Sequence, residues 1–407
     1  MHVLAGGYAG VHQMRTQHDM DTESTTVRAL VPRAAVSRIT RRSFLAGIGV
    51  TVAGLAVTAC GGDKTIAPSK PLSDDVEGQL NYYSWGDYED PADLDAYRDK
   101  FGVRLQVDAF GSNEEMIAKL AAARGTSGYD VIVPTGVYIP QMVAHGLLDE
   151  LDHSRIPNLA NLEERFFNPP WNPQSRHAAC KNWGTTGFMY LKSLTDKTPT
   201  SWADFISLAR GPAKGKVSVV EDPWEVVSIA MGAMNIDPNT TDAKSLSAAR
   251  NILVNQLAPT IQGYNSSITS IVSGGSYSLL QAWNGDARLT LMNESDPDRW
   301  GFVYPLPTAN LFTDNFAIVR GTQHPGAAYA FINHMLDPEV SFRELQYIGY
   351  QTGVKGMAEK GKAADLPYPE LLFPSDEIVD RLVVATVDSA TQERTEILNQ
   401  MQARSAR

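Results

Sequence analysis

From Gln79 onward, short apolar runs alternate with segments in which apolar residues recur every three or four positions. Runs of the first kind suit buried strands, and segments of the second kind suit helices with one buried face. The pattern predicts a strand at 79–83, a helix over about 91–100, a strand at 103–109, a helix over 112–124 and a strand at 129–134. Ser112 and Glu115, three apart, read as a capping box opening the second helix, whose buried face is Ile117, Leu120 and Ala121. A polar, turn-rich stretch at 192–199 separates this unit from a second one. There the pattern predicts helices at 202–208, 224–234 and 243–257, strands at 216–220, 278–282 and 315–319, and a helical stretch at 326–336.

Strands alternating with helices imply a mainly parallel sheet flanked by helices. Two such units predict an α/β protein of two lobes with a ligand in the cleft between them, because sites gather at domain interfaces and at the carboxyl ends of strands.

Residues 40–60 follow neither pattern. Thr40-Arg41-Arg42-Ser43-Phe44-Leu45 leads into an uncharged stretch, Phe44 to Ala59, that runs on to Cys60-Gly61. Paired arginines, an apolar run and a small residue before a cysteine resemble a twin-arginine export signal ending in a lipobox. The stretch has sixteen residues, three of them glycine, and falls short of the ~20 apolar residues of a membrane-spanning helix. The expectation is a signal segment over 1–59, lipidation of Cys60, and a flexible tether over 60–76 rich in Gly, Asp, Lys, Pro and Ser. The protein would then sit on the outer face of the cytoplasmic membrane.

Composition agrees with a folded chain: of 407 residues, 43% are hydrophobic and 20% charged, unlike a disordered or multispanning protein. The net charge of -11 conceals an asymmetry, since residues 1–59 carry six arginines against three acids and leave -14 on the remaining 348 residues. An acidic body disfavours nucleic acid and favours cationic partners. With Cys60 lipidated, Cys180 is unpaired and reads as a small core residue beside Ala178 and Ala179.

No Gly-x-Ser-x-Gly elbow, His-Glu-x-x-His, Cys-x-x-Cys or Gly-x-Gly-x-x-Gly after a strand is present, and the histidines past Cys60 lack ligand spacing. Neither an enzyme, a metal nor a cofactor is expected. What the chain offers instead is carboxylates beside aromatic residues at strand ends: Trp85-Gly86-Asp87-Tyr88, Glu221-Asp222-Pro223-Trp224-Glu225, Trp283-Asn284-Gly285-Asp286 and Phe312-Thr313-Asp314. Carboxylates neutralise ammonium groups, while aromatic faces attract the same cations and pack against methylenes. Together they describe a slot for an alkyl polyamine. Three of these clusters also have a plainer reading: Asp222 to Glu225 as a capping box, Asn284-Gly285 as a turn, Trp85 and Tyr88 as core.

From about Gln79 to about Gly356 the chain resembles the spermidine/putrescine-binding proteins of ABC importers. The resemblance rests on ordered motifs: Asn81 to Tyr88, Ser112-Asn113-Glu114, Tyr129 to Thr135, Thr200 to Asp204, Asp222 to Glu225, Asn239 to Asp242, Ala282 to Gly285 and Ile348-Gly349-Tyr350. It implies a periplasmic-binding-protein type II fold, with one lobe of 77–185 plus 314–356 and the other of 186–313 plus 357–407. It also implies that Trp85, Tyr88, Trp283, Phe312 and Tyr350 wall the slot, and that Asp222, Glu225 and Asp314 hold the ammonium groups. Thr135 stands where the family usually has serine. Asp286 resembles the acid of putrescine-preferring members, and Phe312 in place of tryptophan leans the same way. Val137 falls where spermidine binders offer a tyrosine, with Tyr138 next to it, and past Gly356 the glutamine of some members has no placed counterpart. The implied partners are a polyamine, the permease of an importer and the membrane through Cys60, with the receptor itself a monomer; another amine or cationic small molecule is the alternative cargo.

Overall fold

Among the described residues ten strands form one sheet: β1 (Gln79–Trp85), β2 (Arg104–Phe110), β3 (Val131–Ile132), β4 (Ala179–Leu191), β5 (Val217–Val219), β6 (Ile261–Tyr264), β7 (Leu279–Trp283), β8 (Trp300–Val303), β9 (Leu311–Ile318) and β10 (Gln351–Thr352). The computed structural model describes residues 66–265 and 268–406, so the expected signal segment 1–59 and the lipidation site Cys60 lie outside the described residues. Lys64–Arg407 is one compact unit.

The main strand order is β2-β1-β3-β9-β4-β7-β5-β6. β1 runs parallel to β2 and β3 as the alternation predicts, and β5 runs parallel to β7 and to β6, which takes the place in the second unit of the expected strand at 315–319, part of β9. Between them β9 and β4 run antiparallel to their neighbours and to each other. β4 is the link: Ala179 to Thr185 pairs with β9, and Thr186 to Tyr190 pairs with β7. It is buried along all but its last residue.

Helices at Pro91–Phe101, Asn113–Ala123, Trp202–Arg210, Pro223–Ala233 and Pro325–Met335 lie within two residues of their predicted spans. Ala243–Arg250 continues as a π-helical segment to Leu257. The pattern does not predict β4, because Ala179 to Gly187, with its Lys, Asn, Gly and Thr, has neither a strand's alternation nor an apolar run, and the apolar run Phe188 to Leu191 is only four residues long. Nor does it predict the helices Pro338–Ile348 and Thr391–Ser405. β9 starts at Leu311 rather than 315, which puts Phe312 and Asp314 inside a strand. Asn284-Gly285 is not a turn: it opens the helix Asn284–Asn293 directly behind β7.

Among the described residues, four apolar clusters divide along the link. Two, around Leu80, Tyr82 and Phe331 and around Tyr83, Met116 and Ile132, belong to the first half. The other two gather Phe188, Trp202, Val227 and Met401, and Met189, Leu280 and Trp300. The segment after 356, expected in the second lobe, is shared: Met357, Leu366 and Leu372 pack with the first half, whereas Leu371 and the 391–405 helix pack with the second. The expected tether is also corrected over its later part. Ala67 N donates to Arg124 O at 3.0 Å, Lys70 N to Thr322 O at 2.8 Å, and Ile66 and Leu72 pack on the first-half clusters, so residues 66–72 are laid against the fold. Among the described residues no helix is long and apolar enough to cross a membrane.

Candidate functional site

Asp314, in the middle of β9, is 5% exposed. Tyr88 Oη donates to its Oδ2 at 2.7 Å and Thr135 Oγ1 to its Oδ1 at 2.7 Å. Thr135 is held in turn by Asn113, the second residue of the Ser112-Asn113-Glu114 motif, whose Nδ2 donates to Thr135 Oγ1 and whose Oδ1 accepts from Thr135 N, both at 3.0 Å. Ser112 caps its helix as predicted, accepting from Glu115 N at 3.1 Å, but Glu115 reaches back to Gly111 N instead of closing a box. Tyr88 spends its one proton on Asp314, so its remaining lone pair accepts from Asn182 Nδ2 at 2.6 Å. Burial pushes the Asp314 carboxyl above its ordinary range, opposed by these two hydroxyls and by the ammonium of Lys181.

Glu225 forms the opposite pole. Asp222 caps the Pro223–Ala233 helix, accepting from Glu225 N at 2.9 Å. The plainer capping-box reading is thus half correct, because Glu225 does not reach back. Its Oε1 turns inward and accepts from Thr186 Oγ1 at 2.6 Å, Asn310 Nδ2 at 2.7 Å and Trp283 Nε1 at 3.4 Å. Burial, then the neighbouring Asp222, push its carboxyl up to about 7. Asp222 is itself raised, first by burial and then by Glu114, a first-half residue that accepts from Tyr138 Oη at 2.6 Å.

A chain of rings joins the poles. Trp283 meets Phe312 edge-on at 6.2 Å between centroids, Phe312 meets Tyr350 at 5.7 Å and Tyr350 meets Tyr88 at 6.4 Å. Tyr350 Oη donates to Asp286 Oδ2 at 3.1 Å, and burial pushes the Asp286 carboxyl up to about 6 against that bond. Two glycines make room for the rings. A Cβ on Gly184 would stand 2.5 Å from Phe312 Cζ and 2.8 Å from Tyr350 Cδ1, and one on Gly285 2.5 Å from Tyr350 Cε1. Gly184→Ala is therefore expected to displace both rings, lowering stability by about 1–3 kcal/mol as overpacking does and ligand affinity at least about tenfold. Thermal melts and calorimetric titration read the two effects, and an unchanged affinity would contradict the ring wall.

Nine of the ten predicted residues are thus brought together: Tyr88, Thr135 and Asp314 at one pole, Asp222, Glu225 and Trp283 at the other, with Phe312, Tyr350 and Asp286 between. Trp85 stands apart. Its indole donates to Val133 O at 3.1 Å and its ring contact is with Phe110 at 4.5 Å, at the edge of the first-half core. The residues missed are Asn182, Thr186 and Asn310, polar side chains that orient the carboxylates and rings. Asn182 and Thr186 lie in the part of β4 that shows no strand pattern, and Asn310 immediately precedes β9.

Three buried oxygens beside these groups, Glu225 Oε2, Asn310 Oδ1 and Asn182 Oδ1, have no hydrogen-bond partner among the described residues. All three are acceptors whose amide or carboxylate partner atom is already committed, so they call for donors. A cavity of about 620 Å³ lies elsewhere, between Trp300, Phe302, Tyr304 and Tyr368, and includes none of the predicted residues. Among the described residues no cluster of His, Cys, Asp and Glu could hold a metal ion.

Residues 94–368 match the family model described as bacterial extracellular solute-binding protein. The chain belongs to this family. Among solute-binding relatives, the spermidine/putrescine-binding periplasmic protein 1 of Haemophilus influenzae is 27% identical over 341 residues, covering 83% of this chain and 92% of its own. The putrescine/cadaverine-binding protein of Pseudomonas aeruginosa is 30% identical over 341 residues, covering 81% and 90%. The spermidine/putrescine ABC transporter substrate-binding protein of Streptococcus pneumoniae superposes with a TM-score of 0.69 at 25% identity, covering 81% of this chain and all of that one. This solute-binding protein therefore has the two-lobed α/β fold of such receptors, with β4 and β9 as the crossing strands.

Proposed function

We propose that this solute-binding protein captures a diamine or polyamine between its two halves and delivers it to the permease of an ABC importer, acting by capture rather than catalysis. The observation that carries the reading is the set of buried acceptors: Glu225 Oε2, Asn310 Oδ1 and Asn182 Oδ1, distributed between two buried carboxylates that a chain of aromatic rings connects. An alkyl chain with an ammonium at each end supplies donors to both poles and methylenes to the rings. The names of the relatives point to the same cargo. Closure around the amine is a population shift driven by contacts to both halves. Asp286 and Phe312 favour putrescine over spermidine. Residues 1–59 would direct export by the twin-arginine route, and a lipid on Cys60 would hold the receptor as a monomer on the outer face of the cytoplasmic membrane near its permease.

The experiment is calorimetric titration of residues 64–407 with putrescine, spermidine and an uncharged diol of similar length. Binding of an amine with none of the diol is the expected result, with putrescine the tighter of the two. Binding of neither amine would discard the cargo, and a panel of other cationic metabolites would then replace it.

A further inference from the structure

Beneath the Asp314 pole lies a buried cation that none of the slot residues includes. In the pairing of β4 with β9, Cys180 faces Asn315 and Asn182 faces Asp314, so the register shifts at Lys181, the extra residue of a bulge. Successive strand residues normally point to opposite faces, and a bulge re-aims one of them. Here both Lys181 and Asn182 reach Tyr88. Lys181 Nζ donates to the main-chain oxygen of Tyr88 at 2.8 Å and lies 4.7 Å from the centre of its ring, while Asn182 Nδ2 donates to the phenol oxygen at 2.6 Å. One bulge therefore clamps Tyr88 at both ends, and Tyr88 is the residue that donates to Asp314.

The ammonium is costly to bury and is held by two acids. Glu344 Oε2 is 2.9 Å from Nζ and Glu89 Oε1 3.8 Å, with all three side chains 2–3% exposed. Glu89 Oε1 also accepts from Tyr82 Oη and Ser84 Oγ, each at 2.6 Å, and Glu344 Oε1 from Asp90 N at 2.7 Å. Burial alone would drive the proton off Lys181, but the two carboxylates outweigh it and keep the lysine charged. The groups that face Asp314 from the surrounding elements are Tyr88, Thr135, Tyr350, the Cys180 thiol and Lys181. Lys181 is the cation among them.

We propose that Lys181 is a positioning residue for amine capture: from the β4 bulge it fixes Tyr88 against Asp314, and its buried positive charge favours the anionic form of this carboxylate. It touches no part of the ligand and acts through Tyr88 and through the field at Asp314. The inference rests on the amine-binding reading of Asp314, and its test separates the two.

Lys181→Met alone strands two buried acids and endangers folding, so the informative variant is Lys181→Met with Glu344→Gln, which removes one charge of each sign. In ligand-free protein of residues 64–407, the Asp314 carboxyl is followed by carbon NMR against pH. Its midpoint is expected to rise in the double variant, the direction of losing an opposite charge. Putrescine affinity is measured over the same range. Glu225 and Asp286 titrate in both proteins, so the signal is the difference between profiles: a loss of affinity at pH 6 that shrinks at pH 8.5. An equal loss at every pH, or an unmoved Asp314 midpoint, would overturn the proposal and leave Lys181 a structural ion. If the wild-type protein binds no amine, the proposed cargo fails while the carboxyl titration still decides the role of Lys181.

Discussion

Asp314→Asn is expected to weaken diamine binding about a thousandfold, or ~4 kcal/mol, the scale of removing one partner of a buried hydrogen-bonded charge pair. The effect is large because Asp314 is 5% exposed and stands where water cannot replace the lost charge. The fold should tolerate the change. Tyr88 and Thr135 are hydroxyl donors that can rotate to suit an amide, and the empty protein no longer buries a carboxylate whose charge burial opposes. Thermal stability without ligand is therefore expected to hold or rise while affinity collapses, as read by melts and by calorimetric titration with putrescine. A variant that keeps wild-type affinity would remove Asp314 from the slot. Glu225→Gln is expected to act in the same direction but to cost less at pH 7 than at pH 8.5, since Glu225 is partly protonated at the lower pH.

The second large effect is on pH dependence. In the empty protein burial holds the Glu225 carboxyl at about 7 and the Asp286 carboxyl at about 6, both above their ordinary values. The folded state thus keeps these protons to higher pH than the unfolded state does. The stability they contribute is complete below about pH 4 and is lost as pH rises through about 6 and about 7. Asp222 and Asp314, also raised by burial, act with the same sign. An ammonium in the slot reverses this balance by favouring the charged carboxylates, so binding near neutral pH expels protons. The melting temperature of the empty protein is expected to fall between pH 5 and pH 8, and the gain conferred by putrescine is expected to grow over the same interval. Titrations in two buffers of different ionisation enthalpy should show net proton release near pH 7. Proton uptake, or an affinity that does not vary between pH 5 and pH 8, would show that these carboxylates do not meet the amine.

Much of this architecture can be read directly from residue order. The apolar runs and period-3.6 segments from Gln79 onward predict two parallel units: the first is present as β2-β1-β3, and the second as β7-β5-β6, with β6 in place of the expected strand at 315–319. Helix starts at Ser112, Ser201 and Asp222 follow from short-range hydrogen bonds between neighbours in sequence. Three of the four aromatic-acid clusters are likewise local, because each sits where a strand ends and the next helix begins, whereas Phe312 to Asp314 lies inside β9. Local chemistry determined these features, and no distant contact was needed to read them.

Tertiary structure alone decided how the clusters are used. β4 has no alternation because it is buried on both sides and because Lys181, Asn182 and Thr186 serve partners far away in sequence, at positions 88, 225 and 344. Its bulge is visible only against β9. Glu225 abandons the helix cap for Thr186 and Asn310 because a buried carboxylate with three side-chain donors is better satisfied than one returned to its own backbone. Trp85 shares a motif with Tyr88 yet ends at the core edge, because its indole finds Val133 O and Phe110 first. Residue types and spacing thus determined the fold and the supply of acids and rings, whereas long-range packing decided which acids are buried, oriented and raised toward neutral pH, since desolvation depends on what covers a side chain rather than on what precedes it.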